Sequence, residues 1–203
     1  MTELRPDLAI IAANVRPETR VLDVGCGDGT LMAALRRDKG IDARGLELDA
    51  ANVAAAVGRG LAVVQGDADR DLADYPTDSY DYAILSQTLQ TTHRPDRIVA
   101  ELLRIAPLAF VSFPNFAHWR VRMALLVGGR MPVTASLPVS WYETPNIHHA
   151  TIDDFRSFVR DSGIGVAGQW FLSGGRPIGG AAANLRAEQA VFLLRRPHDV
   201  TGA

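Results

Sequence analysis

The stretch of sequence that decides the fold is V-L-D-V-G-C-G-D-G, residues 21–29. Three apolar residues and an aspartate lead directly into three glycines spaced two apart, and residues 30–37 then follow the pattern of a helix. Glycine is needed where the backbone takes a positive φ angle or where a ligand approaches it closely. A buried strand, a tight glycine turn and a helix N-terminus together predict a site for a polar or anionic ligand.

The spacing of the glycines narrows the class of ligand. A dinucleotide-binding fingerprint reads G-x-G-x-x-G, whereas Gly25, Gly27 and Gly29 give G-x-G-x-G, with Asp23 two residues upstream. This form resembles motif I of the class I S-adenosylmethionine (SAM)-dependent methyltransferases. Taken alone, the stretch also fits a purely structural turn or another nucleotide site, so the interpretation depends on the residues downstream.

Apolar segments alternate with helical segments over the first half of the chain, with strands predicted at residues 20–24, 43–48, 61–65, 82–85 and 108–113. The alternation predicts a doubly wound α/β sheet, parallel this far, with right-handed crossovers. Two more strands are predicted at residues 164–172 and 189–194, and in the class I methyltransferase pattern the last strand enters antiparallel. We therefore expect one Rossmann-like domain with a seven-stranded sheet, a mobile Gly- and Ala-rich loop at residues 173–187 and a disordered tail at residues 196–203.

An acidic residue ends the second predicted strand. Glu47 follows Gly29 by eighteen positions, close to the ~20 expected of a carboxylate that accepts hydrogen bonds from ribose hydroxyls. Asp49 is the rival candidate, and a solvated carboxylate at a strand end is the alternative for Glu47.

The loops after the third and fourth predicted strands supply further candidates. In the methyltransferase pattern an acidic residue after the third strand meets the adenine amino group, and Asp67 has that position. Asp69 and Asp71 crowd the same loop, where a helix-capping role is the alternative. Ser86 and Gln87 follow the fourth strand, at the edge where ligands of parallel sheets bind. The complete predicted cofactor-binding set is Asp23, Gly25, Cys26, Gly27, Glu47, Leu48, Asp67, Ala68, Ser86 and Gln87.

An insertion after the fifth strand, residues 114–150, is predicted to form a small cap. Its candidates to line a second pocket or a partner surface are His118, Trp119, Trp141, Tyr142, Asn146 and His148, and packing within the cap is the alternative. If the protein is an enzyme, Tyr142, His118 and His148 are the catalytic candidates. Arg120, Arg122 and Arg130 are candidates for partner contact, with a solvated cap face as the alternative.

Histidine and cysteine residues could suggest a metal site or a nucleophile, but their sequence context supports neither. His148 and His149 are adjacent, so they point apart on a strand, and no cysteine or carboxylate stands at ligand spacing from them. We therefore expect no metal site. Cys26 has no evident base beside it, which favours a small side chain packed behind the glycine turn over a nucleophile.

The composition sets limits on partners and compartment. The formal net charge is −2 and the pI is near 6.2, which gives no indication of a nucleic-acid or anionic-membrane partner. A single cysteine excludes an internal disulfide and fits a reducing compartment. The N-terminus lacks the pattern of a signal peptide, and no apolar run approaches the ~20 residues of a membrane span. We expect a soluble cytoplasmic protein.

Four longer sequence words are more specific than the glycine motif. They are I-L-S-Q-T-L-Q at residues 84–90, F-P-N-F-A-H-W-R-V-R at 113–122, G-R-M-P-V-T at 129–134 and W-Y-E-T-P-N-I-H at 141–148. Together with motif I they resemble the MetW family of methionine biosynthesis proteins, roughly over residues 8–163. The resemblance implies a methyltransferase fold and a role alongside homoserine O-acetyltransferase, as its partner or activator, with no methyl-transfer reaction firmly attached to the family.

Two functional hypotheses follow. In the first, the protein is an accessory subunit that promotes homoserine acylation, and SAM is its regulatory ligand. In the second, it is a SAM-dependent methyltransferase that acts on a small molecule.

Overall fold

The computed structural model describes residues 4–134 and 137–196, and eight strands of this part of the chain form one sheet. The strands are β1 (Arg20–Val24), β2 (Asp42–Glu47), β3 (Ala62–Gln65), β4 (Tyr82–Ser86), β5 (Leu108–Pro114), β6 (Gly165–Ser173), β7 (Arg176–Ile178) and β8 (Gln189–Arg195). Their order across the sheet is β3-β2-β1-β4-β5-β8-β6-β7. The first five strands run parallel, and β8 enters antiparallel to β5. The predicted doubly wound, mostly parallel α/β fold is confirmed.

Eight α-helices of the described residues precede or connect the strands. They are α1 (Pro6–Asn14), α2 (Thr30–Lys39), α3 (Ala50–Gly58), α4 (Ala68–Asp71), α5 (Pro95–Ile105), α6 (Trp119–Gly128), α7 (Ile152–Asp161) and α8 (Ala183–Arg186). Over the described ranges, none of these helices combines the length and the apolarity that a membrane span requires.

The core lies on both faces of the sheet because successive strand residues point to opposite sides. Val21 of β1 packs with Ile11 of α1 and Leu31 of α2, whereas its neighbour Leu22 packs with Leu102 of α5. The strand order reverses between β1 and β4, and ligands of such sheets bind at this point, beyond the carboxyl ends of the strands.

The prediction of seven strands and of a mobile loop at residues 173–187 was wrong. Ser173 pairs with Arg176 across Gly174 and Gly175, which both have positive φ angles, +54° and +73°. A two-residue turn of this kind joins hairpin strands, so the eighth strand, β7, extends the sheet. The short helix α8 occupies four of the nine residues that remain of this segment, 179–187. The Gly-Gly pair is a hairpin signal that an interpretation based on composition overlooks.

Two segment ends are held by hydrogen bonds. Helix α6 begins at Trp119, since the buried Asn115 side chain accepts a hydrogen bond from Ala117 N (3.1 Å) and holds a turn before it. In the predicted tail, Arg196 is ordered: its Nε donates to Leu103 O (2.6 Å) and its Nη2 contacts Asp78 (2.7 Å). The rest of that tail, residues 197–203, lies outside the described residues.

Candidate functional site

The glycine turn lies at the carboxyl end of β1, between the last residues of β2 and β4. Gly25 has a φ angle of +70°, and a Cβ built there would lie 2.3 Å from Thr88 Oγ1, so the close approach of the loop after β4 excludes any side chain. At Gly27, whose φ angle is +56°, a Cβ would meet nothing within 4 Å, because the residue faces a cavity. The turn is therefore packed on one side and open on the other.

Glu47, the last residue of β2, holds the glycine turn in place. The side chain is 9% exposed, and its carboxylate accepts hydrogen bonds from Gly27 N (2.8 Å) and Asp49 N (2.9 Å). Each oxygen keeps a second lone pair for a ligand in the cavity that Glu47 lines. The rival Asp49 is the N-cap of α3, where its Oδ1 accepts from Ala51 N and Asn52 N. Capping gives Asp49 a structural role and leaves Glu47 the better candidate.

The three aspartates that follow β3 have separate roles. Asp69 accepts hydrogen bonds from His93 N (2.9 Å) and Arg94 N (3.1 Å), which fixes the start of α5. Asp71 Oδ2 accepts from Asp67 N at 2.7 Å. Asp67 Oδ1 caps α4 by accepting from Asp69 N, and among the described residues its Oδ2 is paired only with Arg70 Nε, 3.8 Å away. Asp69 uses both of its oxygens, and Asp71 does not line the cavity at this edge, so Asp67 is the best of the three candidates for a ligand contact.

Glu47, Asp49, Asp67 and Asp69 line the larger of two cavities that meet at the glycine turn. The cavity has a volume of about 710 Å³. Its walls come from the turn, the ends of β2 and β3 and the loop after β4, and include Gly25, Leu46, Glu47, Leu48, Gly66, Asp67, Ala68, Thr88, Thr91, His93 and Pro145. The arrangement presents four carboxylates, among them the candidates Glu47 and Asp67, to a polyhydroxylated or amino-bearing ligand between short apolar walls.

The smaller cavity, about 280 Å³, lies on the other side of Gly25 and has a buried carboxyl group in its wall. Asp23 is 2% exposed, and no group in the described part of the chain donates a hydrogen bond to its side chain. Burial raises the pKa of Asp23 to about 7; Arg5 opposes the shift, and Glu47 adds to it. A carboxyl group buried in this way favours a cationic ligand group, which would restore its charge.

Helix α1 closes the smaller cavity through a polar cluster that the sequence analysis missed. Asp7 is 1% exposed, and its Oδ2 lies 2.9 Å from Ser86 Oγ and 3.0 Å from Ser112 Oγ. Arg5 Nη2 donates to Ser86 Oγ at 2.9 Å, so its guanidinium is held at the cavity wall. A signal was present, because Asp7 stands four residues before the buried Ile11 and so belongs to the same helix face.

The structure brings most of the predicted cofactor-binding residues to these two cavities. Asp23, Cys26, Gly27 and Ser86 line the smaller cavity, Glu47, Leu48, Asp67 and Ala68 line the larger one, and Gly25 lines both. Gln87 lines a third cavity instead. Burial, together with Asp23 and Glu47, raises the pKa of the Cys26 thiol to about 12, which opposes a nucleophilic role.

The third cavity, about 340 Å³, lies between the loop after β4 and the segment that follows α6. Trp141 and Asn146 line it, as do His149 and Phe116, whose rings stack 4.5 Å apart. It shares Thr91 and Pro145 with the larger cavity, so a ligand in one lies next to a ligand in the other.

The structure does not bring the three catalytic candidates together. Tyr142 is 71% exposed and lines none of the cavities described. His118 is buried at the start of α6, and burial lowers its pKa. His148 lines a separate cavity between α5 and α7. No described pair among them is placed to act on one substrate atom.

The comparisons with known proteins agree with this geometry. The family model described as "Methionine biosynthesis protein MetW" matches residues 5–194. The chain belongs to the MetW family. The match includes α1 with Arg5 and Asp7, the glycine turn and the whole segment between β5 and α7.

One curated relative joins a MetW part to another protein. The chain is 32% identical over 188 residues to the "Bifunctional methionine biosynthesis protein MetXA/MetW" of Rhodopirellula baltica. The match covers 87% of this chain and 30% of the relative, so the chain spans about a third of the length of the curated relative it matches.

Solved structures share the fold at low sequence identity. A SAM-dependent methyltransferase from Mesorhizobium loti is 19% identical with a TM-score of 0.68, and the match covers 93% of this chain and 96% of that one. The [4+2]-cyclase SpnF is also 19% identical, with a TM-score of 0.67 and coverage of 95% and 81%. Since the fold carries both a methyltransferase and a cyclase, it does not by itself decide what a MetW-family protein does.

Proposed function

We propose that this MetW-family protein is an accessory subunit of methionine biosynthesis, which binds SAM at the glycine turn and acts with homoserine O-acetyltransferase to promote homoserine acylation. The observation that carries the proposal is the relative in which a MetXA part and a MetW part form one chain. We take the MetXA part to correspond to the acyltransferase that the family resemblance implies as a partner. Parts that are fused in one organism often work together as separate chains in another.

The larger cavity supports the proposed placement of the adenosine half of SAM. Glu47 would accept hydrogen bonds from the ribose hydroxyls with the lone pairs that the backbone leaves free. Asp67 would accept from the adenine amino group, and Leu48 and Ala68 would cover the faces of the base. Both carboxylates are held by backbone hydrogen bonds, so little ordering is needed when the ligand binds.

The smaller cavity supports the proposed placement of the amino-acid half. The ammonium group of SAM would lie against the buried Asp23 carboxylate, and its carboxylate would face the Arg5 guanidinium. Gly27 leaves open the space that the amino-acid part of SAM would occupy beside the turn. A zwitterion thus meets one group of each sign in the lining of this cavity.

In this proposal SAM reports the supply of methionine, from which it is made. A ligand can tune a complex only if it binds the free and the complexed protein with different affinity. Regulation therefore requires that the SAM site and the partner surface are physically linked. As a further part of the proposal, both proteins work in the cytoplasm.

The experiment is an assay of homoserine acetylation by the acyltransferase from the same organism, with and without this protein, each with and without SAM. We expect faster acylation when the two proteins are mixed and a change in that stimulation when SAM is added. Failure of the proteins to associate at micromolar concentration, with no stimulation, would rule out the accessory role.

The third cavity favours a second candidate function, methyl transfer to a small molecule. Gln90 is buried, its Nε2 donates to Gln87 O (2.8 Å), and its Oε1 has no partner among the described residues, which is the state of a group awaiting a hydrogen-bond donor. SAM would supply an electrophilic methyl group, and the cavity would orient the acceptor beside it. Incubation with methyl-labelled SAM and a metabolite extract tests this function: label found in no metabolite excludes it.

A further inference from the structure

We propose that the outward face of α6, together with the exposed Trp141 and Tyr142, is the surface on which the acyltransferase docks. This inference rests on the proposed function and adds to it the location of the contact. We call this surface the cap face. Its defining residues are Trp119, Met123, Leu126, Val127, Trp141 and Tyr142.

Helix α6 presents an apolar stripe to solvent. Trp119, Met123, Leu126 and Val127 stand at positions i, i+4, i+7 and i+8, which fall on one side of an α-helix. All four are exposed, Leu126 by 79% and Val127 by 78%, and within α6 only Val121 is buried. Apolar residues occur on every side of α6, and a helix of this kind is normally buried, whereas α6 leaves most of its apolar side chains in solvent.

The stripe is part of a wider concentration of exposed apolar side chains. Most of the large exposed apolar residues of the described chain lie between residues 119 and 147, namely Trp119, Met123, Leu125, Leu126, Val127, Met131, Val133, Val139, Trp141, Tyr142 and Ile147. Single exposed apolar residues are ordinary, but their concentration in one segment of the chain favours an interaction site. Two tryptophans and a tyrosine are also the residue types that dominate binding energy at protein interfaces.

The charges on the cap indicate the chemistry of the partner surface. Residues 114–150 contain three arginines, Arg120, Arg122 and Arg130, and one acidic residue, Glu143, although the chain as a whole has a net charge of −2. Within the described ranges none of these arginines forms a salt bridge, and Arg120 lies over the Trp119 ring, 5.4 Å from its centroid. The surface therefore fits an apolar patch bordered by carboxylates, which would pair with the arginines at the rim.

The cap is joined to the proposed SAM site, which gives the docking surface a means of regulation. Ile147 N and His148 N both donate to Gln90 O, at 2.8 and 3.0 Å, and so tie the cap to the loop after β4. Pro145 lines the larger cavity itself. SAM in that cavity would restrict the segment that carries Trp141 and Tyr142, so we expect SAM to change the affinity for the acyltransferase.

A matched pair of substitutions tests the cap face. Val127 is the penultimate residue of α6 and Val57 the penultimate residue of α3; both are exposed, and a glycine follows each. We expect V127E and L126E to weaken binding of the purified acyltransferase at least tenfold and to abolish the stimulation of acylation. V57E, which suffers the same unfavourable charge at a helix C-terminus, should bind within twofold of the parent protein.

The outcomes separate the location from the function. If the parent protein neither binds nor stimulates the acyltransferase, the proposed function fails. If it binds, and V127E and L126E bind equally well while their melting temperatures and SAM affinities match those of V57E, the function stands and the docking surface is wrong. If the parent protein alone is a dimer that L126E converts to a monomer with unchanged acyltransferase affinity, the cap face joins two copies of this chain and the inference is overturned.

Discussion

Two regions of the molecule use their side chains in opposite ways. One is the edge of the sheet at the glycine turn, and the other is the cap that follows β5. At the edge, carboxylates point inward, and backbone N–H groups fix two of them, Glu47 and Asp67, before any ligand arrives. On the cap, the largest apolar side chains point outward, and Leu126 and Trp141 are mostly exposed. Preorganised polar groups around small cavities suit a small ligand, whereas an exposed apolar surface gains free energy only when a second macromolecule covers it.

The claim that the edge of the sheet binds a small ligand is tested first by G27V, for which we expect the largest loss of SAM affinity. The new side chain would fill the open space beside the turn, and we expect SAM binding to weaken more than a hundredfold in calorimetric titration. Because Gly27 has a φ angle of +56°, valine also adds backbone strain of roughly 1–2 kcal/mol. G40V is the control, since Gly40 has a φ angle of +63°, an equally open environment and no part in either cavity. Equal SAM affinity in G27V and G40V would mean that SAM does not bind at the glycine turn.

The next largest effects distinguish the role of Glu47 in SAM binding from that of Asp49. E47A should weaken SAM binding by roughly 1.5–3 kcal/mol, since charge-assisted hydrogen bonds to the ribose would be lost. Two backbone N–H groups would also lose their acceptor, so the free energy of unfolding should fall by roughly 1–3 kcal/mol. D49A should cost about 1 kcal/mol of stability through the lost N-cap and leave SAM affinity almost unchanged. If D49A weakens SAM binding and E47A does not, Asp49 rather than Glu47 contacts the ribose.

The pH dependence of SAM binding sharpens the assignment of Asp23. Its pKa is raised to about 7 in the folded protein without ligand, so below pH 7 a proton competes with the ammonium group of SAM. We expect affinity to fall roughly tenfold per pH unit below 7 and to be constant above it. D23N should bind weakly and show no such slope between pH 5.5 and 8. A parent protein with a flat profile would mean that the ammonium group lies elsewhere.

The same pKa shift predicts the opposite slope for stability without SAM. The folded pKa lies above the unfolded value of 3.8, so the folded state holds a proton that the unfolded state has already released. The contribution of Asp23 is therefore most favourable below about pH 4 and is lost as the pH rises to about 7. Denaturant unfolding of the parent protein and of D23N over this range should diverge with increasing pH, with D23N the more stable at pH 7.

The sequence predicted those features that depend on short-range patterns. The strand, glycine turn and helix of residues 21–37 form a continuous pattern. Glu47 was predicted by counting from it, and Asp67 from its position after the third predicted strand in the methyltransferase pattern. The Arg5–Asp7–Ser86–Ser112 cluster could not be found in this way, since Asp7 is separated from the serines by 79 and 105 residues and meets them only through the docking of α1. Within the cap, irregular backbone gives no periodicity, so nothing in the sequence decided that Trp141 would line a cavity and that Tyr142 would be left outside.

The smallest expected effect tests the second half of the comparison. If the apolar stripe of α6 is free in the isolated protein, L126A should change the free energy of unfolding by less than about 0.5 kcal/mol, because a side chain that is 79% exposed loses little burial. L102A, on the fully buried face of α5, is the matched control and should cost roughly 2–5 kcal/mol. Denaturant unfolding of the two variants measures both values. A cost above about 1 kcal/mol for L126A would mean that Leu126 packs within the protein, and the stripe would then have nothing to offer a partner.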